Sequence, residues 1–155
     1  MNDQEFADAI IAMTQTLYRV AYAQLARPED RADAVQETLR RAWERRHQLR
    51  QPQHLQTWLI RILLNVCHNM QLHQKRVYPM ETLPGRPPQE SPDLGDALRA
   101  LEEKQRLPIL LHYIEGYPIK DVARMLRLPE GTVKTRLTAG KRRLKELLQE
   151  EVFDA

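Results

Sequence analysis

Six basic residues fall between positions 134 and 145 of this 155-residue chain: Lys134, Arg136, Lys141, Arg142, Arg143 and Lys145. The hydroxyls of Thr132, Thr135 and Thr138 are interleaved with the first of them. Ammonium and guanidinium groups neutralise phosphates, and short hydroxyl side chains reach the hydrogen-bonding edges of bases. The pattern therefore suits a surface offered to a nucleic-acid duplex. Charge alone does not establish this, because a basic run is usually only a solvated helix face.

Apolar residues must hold such a surface in place. Val133, Leu137, Leu144 and Leu148 share one face of a helix, and Lys134, Thr135, Arg136 and Thr138 fall outside it. Ahead of them, Ile119, Val122, Ala123 and Leu126 make a short buried face, with Ala123 small enough for a second helix to cross closely. Leu128 is apolar, Pro129 prevents continuation, and Gly131 with Thr132 opens the next helix. This spacing predicts a helix-turn-helix, whose second helix meets base edges through its N-terminal turns. A plain helical hairpin with a Pro-Gly break would look similar, and the six basic residues weigh against it.

The rest of the chain predicts further helices. Phe6, Ile10, Met13, Leu17 and Val20 form one stripe; Val35, Leu39, Ala42 and Trp43 form a second; Leu55, Trp58, Leu59, Ile62, Leu63, Val66 and Met70 form a third. Residues 77–93 hold five of the ten prolines, too dense for helix or sheet. Leu94, Leu98 and Leu101 begin another helix. Pro108 requires a fresh start near Lys104, with its ring in the first turn, and that helix stops at Gly116. The expected fold is all-α: a three-helix unit over residues 1–77, a Pro-rich linker over 78–93 and a helix-turn-helix unit over 94–155.

Charge is uneven along this chain of net +3. Residues 51–78 carry three bases and no acid, residues 79–103 six acids against two bases, and residues 104–155 eleven bases against seven acids. Two basic blocks flank an acidic middle, as in a chain that grips a polyanion at two places. The single Cys67 excludes an intramolecular disulfide framework. No basic-plus-apolar signal opens the chain and no apolar run approaches the roughly 20 residues a bilayer needs, so a cytoplasmic location is expected. An enzyme built on Cys67, His68 and His73 is disfavoured, because adjacent Cys and His on a helix cannot easily face one metal. Nor do the five histidines show ligand spacing or a phosphate-cradling Gly loop appear, so no catalytic residue, metal, cofactor or small-molecule substrate is expected.

The stretches YIEGYPIKDVARMLRLPEGTVKTRL and KRRLKELL resemble the region-four helix-turn-helix of bacterial RNA polymerase sigma factors, particularly the extracytoplasmic-function (ECF) class. DAVQETLRRAW, residues 33–43, resembles the core-polymerase-binding helix of region two, and TWLIRILLNVCHN, residues 57–69, its promoter-melting and minus-ten-reading helix. The resemblance implies an alternative sigma factor without catalysis of its own. It assigns Asp33, Gln36, Glu37 and Arg40 to the clamp helices of the polymerase's largest subunit, with the polymerase flap as a further contact. It assigns Arg61, Asn65, His68, Asn69, Lys75 and Arg76, together with Gln51, Gln53 and His54 of the preceding loop, to the opened minus-ten region of promoter DNA. Thr132, Lys134, Thr135 and Thr138 would read the minus-thirty-five duplex, with Arg136, Lys141, Arg142 and Arg143 on phosphates. An anti-sigma partner is also implied.

The chain departs from the family pattern at Asn69, where Asp is common, and at Ala139 and Gly140, where a basic side chain and a better helix former are expected. Two rival readings stand beside this one. An ordinary helix-turn-helix repressor or activator would leave the N-terminal unit without a task, and a degenerate sigma-like protein would bind polymerase or a regulator without starting transcription.

Overall fold

The computed structural model describes residues 1–77 and 94–153, with side chains through 149, and among those residues the regular elements are helices, with no strand. The chain divides into two compact units, Met1–Leu83 and Pro84–Ala155. The expected linker over 78–93 lies outside the described residues.

In the first unit, α1 spans Asp3–Ala12, α2 Thr14–Gln24, α3 Pro28–Glu44 and α4 Leu55–Val77. Asn2 caps α1 by accepting the Glu5 amide at 2.8 Å, while its own amide reaches the Glu5 carboxylate at 3.2 Å. Phe6, Ile10, Met13, Leu17 and Val20 are all buried, but they belong to two helices, not one. The chain breaks at Met13, whose amide bonds Ile10 at 3.1 Å instead of the carbonyl four back, and the stripe passes through because Met13 keeps helical dihedrals. Pro28 starts α3 where a missing donor costs nothing, and Glu29 and Asp30 complement its dipole. On α4, Leu59, Ile60, Leu63 and Cys67 are sealed in the core. Burial pushes the Cys67 thiol up to about 12, so it stays neutral there.

Two charged side chains, buried Arg31 and half-buried Arg106, close helix ends. Arg31 donates to the carbonyls of Leu25 and Ala26 at 2.8 and 2.9 Å, just past the end of α2, and lies 4.1 Å over the Tyr22 ring. In the second unit Arg106 does the same for α5, donating to Leu98 and Leu101 at 3.0 and 2.8 Å. Its burial lowers the guanidinium pKa, and those carbonyls hold the charge in place.

The second unit comprises α5 (Leu94–Ala100), α6 (Glu103–Ile109), α7 (Ile119–Leu126) and α8 (Glu130–Phe153). The fresh start occurs at Glu103, but Pro108 stands in the second turn of α6, not the first. The bond its ring forgoes is to the carbonyl of Lys104, an exposed residue, which limits the cost. The helix then widens into a π turn over Leu110–Ile114, closed by Glu115 N–H on the Leu110 carbonyl at 2.9 Å. Gly116 ends it at φ 80°, and the Tyr117 amide reaches back to Leu111 at 3.0 Å.

The turn between α7 and α8 holds a surprise at Arg127, which takes the left-handed conformation at φ 56° and ψ 48°. Neither Pro129 nor Gly131 supplies that reversal. Val122 and Ala123 are buried as expected, Met125 joins them, and Ile119 and Leu126 are half-buried. On α8, Val133 and Leu137 face inward and Leu144 is half-buried, whereas Leu148 is 36% exposed and is no core residue.

Gly140 is not the misplaced helix residue that propensity suggests. It is buried where α8 crosses α6, and a Cβ there would stand 2.9 Å from Cγ1 of Ile109 and 3.3 Å from Cβ of Gln105. Ile109 is itself buried and cannot retreat cheaply. Gly131, by contrast, has open space around it. Gly140→Ala is therefore expected to destabilise the second unit by about 1–3 kcal/mol despite alanine's better helix propensity, and Gly131→Ala to change stability by less than about 0.5 kcal/mol. Native-state hydrogen exchange of α6 and α8 amides compares them, and equal protection in the two variants would contradict the close crossing.

Candidate nucleic-acid interface

On α8 the inward residues fix what faces out. Lys134, Thr135, Thr138, Lys141 and Arg142 are exposed, while Thr132 and Arg136 are half-buried along one flank. The Thr135 and Thr138 hydroxyls donate to the carbonyls of Gly131 and Lys134 at 3.0 and 3.1 Å. With their protons occupied, these oxygens present lone pairs outward and are set to accept from base amino groups. Thr132, Thr135, Arg136 and Ala139 line an open groove of about 600 Å³ whose other wall is Lys104 and Gln105 of α6. Lys141 lies 5.7 Å from the ring of Tyr113, which is 52% exposed, and Arg143 pairs with Glu146 at 3.2 Å. Of the two departures on this helix, Ala139 therefore lies on the outer surface and Gly140 belongs to the packing.

In the first unit, the 3₁₀ turns Arg46–Gln48 and Pro52–His54 join α3 to α4 and present Gln51, Gln53 and His54 to solvent. Asn65 and His68 are exposed on the outer side of α4 with half-buried Arg61, and exposed Lys75 and Arg76 complete the last turn. Trp58 is half-buried and meets Phe6 edge-on at 5.9 Å, which makes it a packing residue. Asn69 is exposed too, but on the edge of that side nearer α3. It lies in a groove of about 630 Å³ between α3 and α4, with Asp33, Gln36, Glu37 and Arg40.

Val66 and Met70 give this second groove an apolar lining, and Asp30, Arg41, His73 and Gln74 complete it. None of those last four was assigned to this surface from the sequence, although Arg41 falls within the 33–43 stretch, and the four-residue spacing of Asp33, Glu37 and Arg41 on one helix and of Met70 and Gln74 on the other would have placed Arg41 and Gln74 on the shared wall. Gln74 ties the helices together by donating to Asp30 at 2.8 Å, and Gln71 donates to the Gln24 carbonyl at 2.8 Å. Arg40 bridges Glu37 and Glu44 at 2.6 and 2.5 Å, and Arg41 reaches Glu37 at 2.8 Å. The hydrogen bonds from Arg40, then Arg41, hold the Glu37 carboxyl down at about 2. Arg40 is shifted the opposite way, upward, by the same pairing. Among the described residues, no group of three His, Cys, Asp or Glu could hold a metal ion.

Residues 10–77 match the family described as Sigma-70 region 2, and residues 92–144 match Sigma-70, region 4. The chain is 31% identical over 140 residues to the ECF RNA polymerase sigma factor SigM of Mycobacterium tuberculosis, covering 85% of this chain and 71% of that relative. The chain belongs to the ECF sigma factors. Another relative, RNA polymerase sigma factor SigV of Bacillus subtilis, is 28% identical over 130 residues, covering 79% of this chain and 78% of its own. The sigma factor RpoE of Bartonella quintana, solved with the anti-sigma factor NepR, superposes with a TM-score of 0.82 at 26% identity, over 94% of this chain and 98% of that one. CnrH, solved with the cytosolic domain of CnrY, shares the fold at a TM-score of 0.74 and 23% identity, over 96% of this chain and 90% of its own. As an ECF sigma factor, the protein is an alternative sigma factor that directs promoter-specific transcription initiation, and sigma factors are known as non-catalytic initiation factors.

The Glu37 pairing in this ECF sigma factor has a pH signature. A carboxyl whose folded pKa lies below its ordinary value of 4.5 contributes stability above that value and loses it as pH falls towards about 2. Carboxyl-detected NMR should find Glu37 titrating near the lower end of that window, and Arg40→Gln should move its midpoint upward part of the way, because Arg41 remains. An unmoved midpoint would mean that Arg40 does not hold this carboxylate in solution.

Proposed function

We propose that the two units divide promoter recognition between them. The α3–α4 groove, through Asp33, Gln36, Glu37 and Arg40, docks on the clamp helices of core RNA polymerase, and the second unit adds a contact to the flap. Gln51, Gln53, His54, Arg61, Asn65 and His68 hold the opened minus-ten strand, with Lys75 and Arg76 on its phosphates. Asn69, at the edge of the α3–α4 groove, is assigned to the same strand. Thr132, Lys134, Thr135 and Thr138 read the minus-thirty-five duplex, and Arg136, Lys141, Arg142 and Arg143 neutralise its backbone.

The observation that carries this reading is the outer face of α8: threonine acceptors and basic side chains share its first turns, while its apolar residues are spent on α6 and α7. Two weak contacts mounted on one polymerase raise their joint affinity without any new contact. Phosphate neutralisation by several Lys and Arg makes binding fall steeply with salt. The reading further includes a cytoplasmic location, no catalysis by the chain itself and control by an anti-sigma protein. The last is supported by RpoE having been solved with NepR. Among the described residues no helix is long and apolar enough to cross a membrane.

Run-off transcription from a genomic library with purified core polymerase, with and without the chain, tests this directly. Lys134→Glu combined with Arg136→Glu should cut initiation at least about 100-fold, given two phosphate or base contacts reversed in sign, and leave co-purification with core polymerase unchanged. Loss of polymerase association in that variant would refute the division of labour.

A further inference from the structure

We propose that Arg46 is a positioning residue that sets the shape of the 49–54 loop by tying its base to the first turn of α1. The inference deepens the reading above and rests on that loop holding a promoter base.

The loop's own backbone bonds are local. Gln48 N–H reaches Arg45 at 2.8 Å, Leu49 reaches Arg46 at 3.2 Å, and His54 reaches Gln51 at 3.0 Å. Each closes a single 3₁₀ turn, and between the turns Leu49 and Gln51 are extended. Arg46 supplies a long-range tie. Its Nε donates to the Asp3 carboxylate at 3.0 Å, its Nη1 to the Trp43 carbonyl at 2.9 Å, and its guanidinium lies 4.2 Å over the Trp43 ring. Phe6, one turn along α1 from Asp3, touches Trp43 at 6.3 Å and Trp58 at 5.9 Å, so this end of α1 is anchored to both helices that flank the loop. Behind the loop is a small cavity of about 130 Å³, walled by Asp3, Phe6, Arg46, Leu49, Arg50 and Pro52. The first turn of α1 is thus the back wall of the loop, and Asp3 and Phe6 precede the residues, 10–77, that match region 2.

An exposed ion pair alone contributes little. A planar guanidinium held on a carboxylate, a carbonyl and a ring is a different case, because the three contacts together leave it one orientation. Removing its donors takes away this long-range tie and leaves the turn-closing bonds. A base that has left its stack must meet its hydrogen-bonding partners in register, so a loosened loop loses discrimination before it loses binding.

The test uses polymerase holoenzyme and a promoter library randomised in both elements, with transcripts sequenced. Arg46→Met keeps an apolar stem over Trp43 and deletes every donor. Discrimination at the loop-read base is expected to fall from roughly tenfold or more to roughly threefold or less, with the minus-thirty-five preference unchanged and hydrogen exchange at Leu49 and His54 accelerated. Asp3→Asn should shift both readouts the same way by less. Unchanged loop exchange, or an unchanged minus-ten preference, overturns the role of Arg46, and so does a parallel flattening of both elements, which would report general destabilisation. If the wild-type chain yields no transcript from any library member, the reading on which the inference rests fails first, and the wild-type lane alone reveals it.

Discussion

A helix that stops inside a protein leaves carbonyls that water cannot reach, and short helices meet this constraint at every joint. Each unit answers it with one guanidinium, buried Arg31 in the first and half-buried Arg106 in the second. Arg31 closes the end of α2 and Arg106 the end of α5, each donating to two carbonyls near the break. Because the donor comes from the next helix along, satisfying the carbonyls also fixes the angle at which that helix leaves. The long helices α4 and α8 then pack against partners whose directions are already set. The surfaces offered to polymerase and DNA are what remains after those directions are chosen.

The same logic explains why α8 can be basic along so much of its length. Close approach at Gly140 lets α6 cover the inner face of α8 with few apolar residues, leaving the rest of its circumference for polar groups. Helix propensity is a local quantity and counts Gly140 as a defect. The packing is non-local, and Ile109 and Gln105, which make the glycine necessary, stand in another helix with no marker pointing to position 140.

The apolar stripes were legible in the sequence, and the helices that carry them followed. The joints were less so. The stripe from Phe6 to Val20 keeps its spacing across Met13, so no change of period announces that two helices share it. Pro129 and Gly131 advertise a turn, yet the reversal is made by Arg127, whose side chain gives no hint of a left-handed backbone. On the candidate surfaces, helical spacing located Lys134, Thr135 and Thr138 correctly on the outside of α8. It did not separate Asn69 from Asn65, because four residues advance the helix by about 40° beyond a full turn, enough to carry Asn69 into the groove with α3.

Cys67 is the one thiol in the chain, and it is sealed on α4 with its ionisation pushed up to about 12. The thiolate is the nucleophile that attacks an alkylating reagent, so the sealed, neutral thiol reacts poorly, and molecules in which the surroundings of α4 have come apart react instead. Where reclosing is faster than reaction, the rate at which an alkylating reagent modifies the intact chain therefore measures the fraction of molecules open at any moment. The first unit carries its own gauge of how far it is open, free or seated on a polymerase, with no label to be engineered.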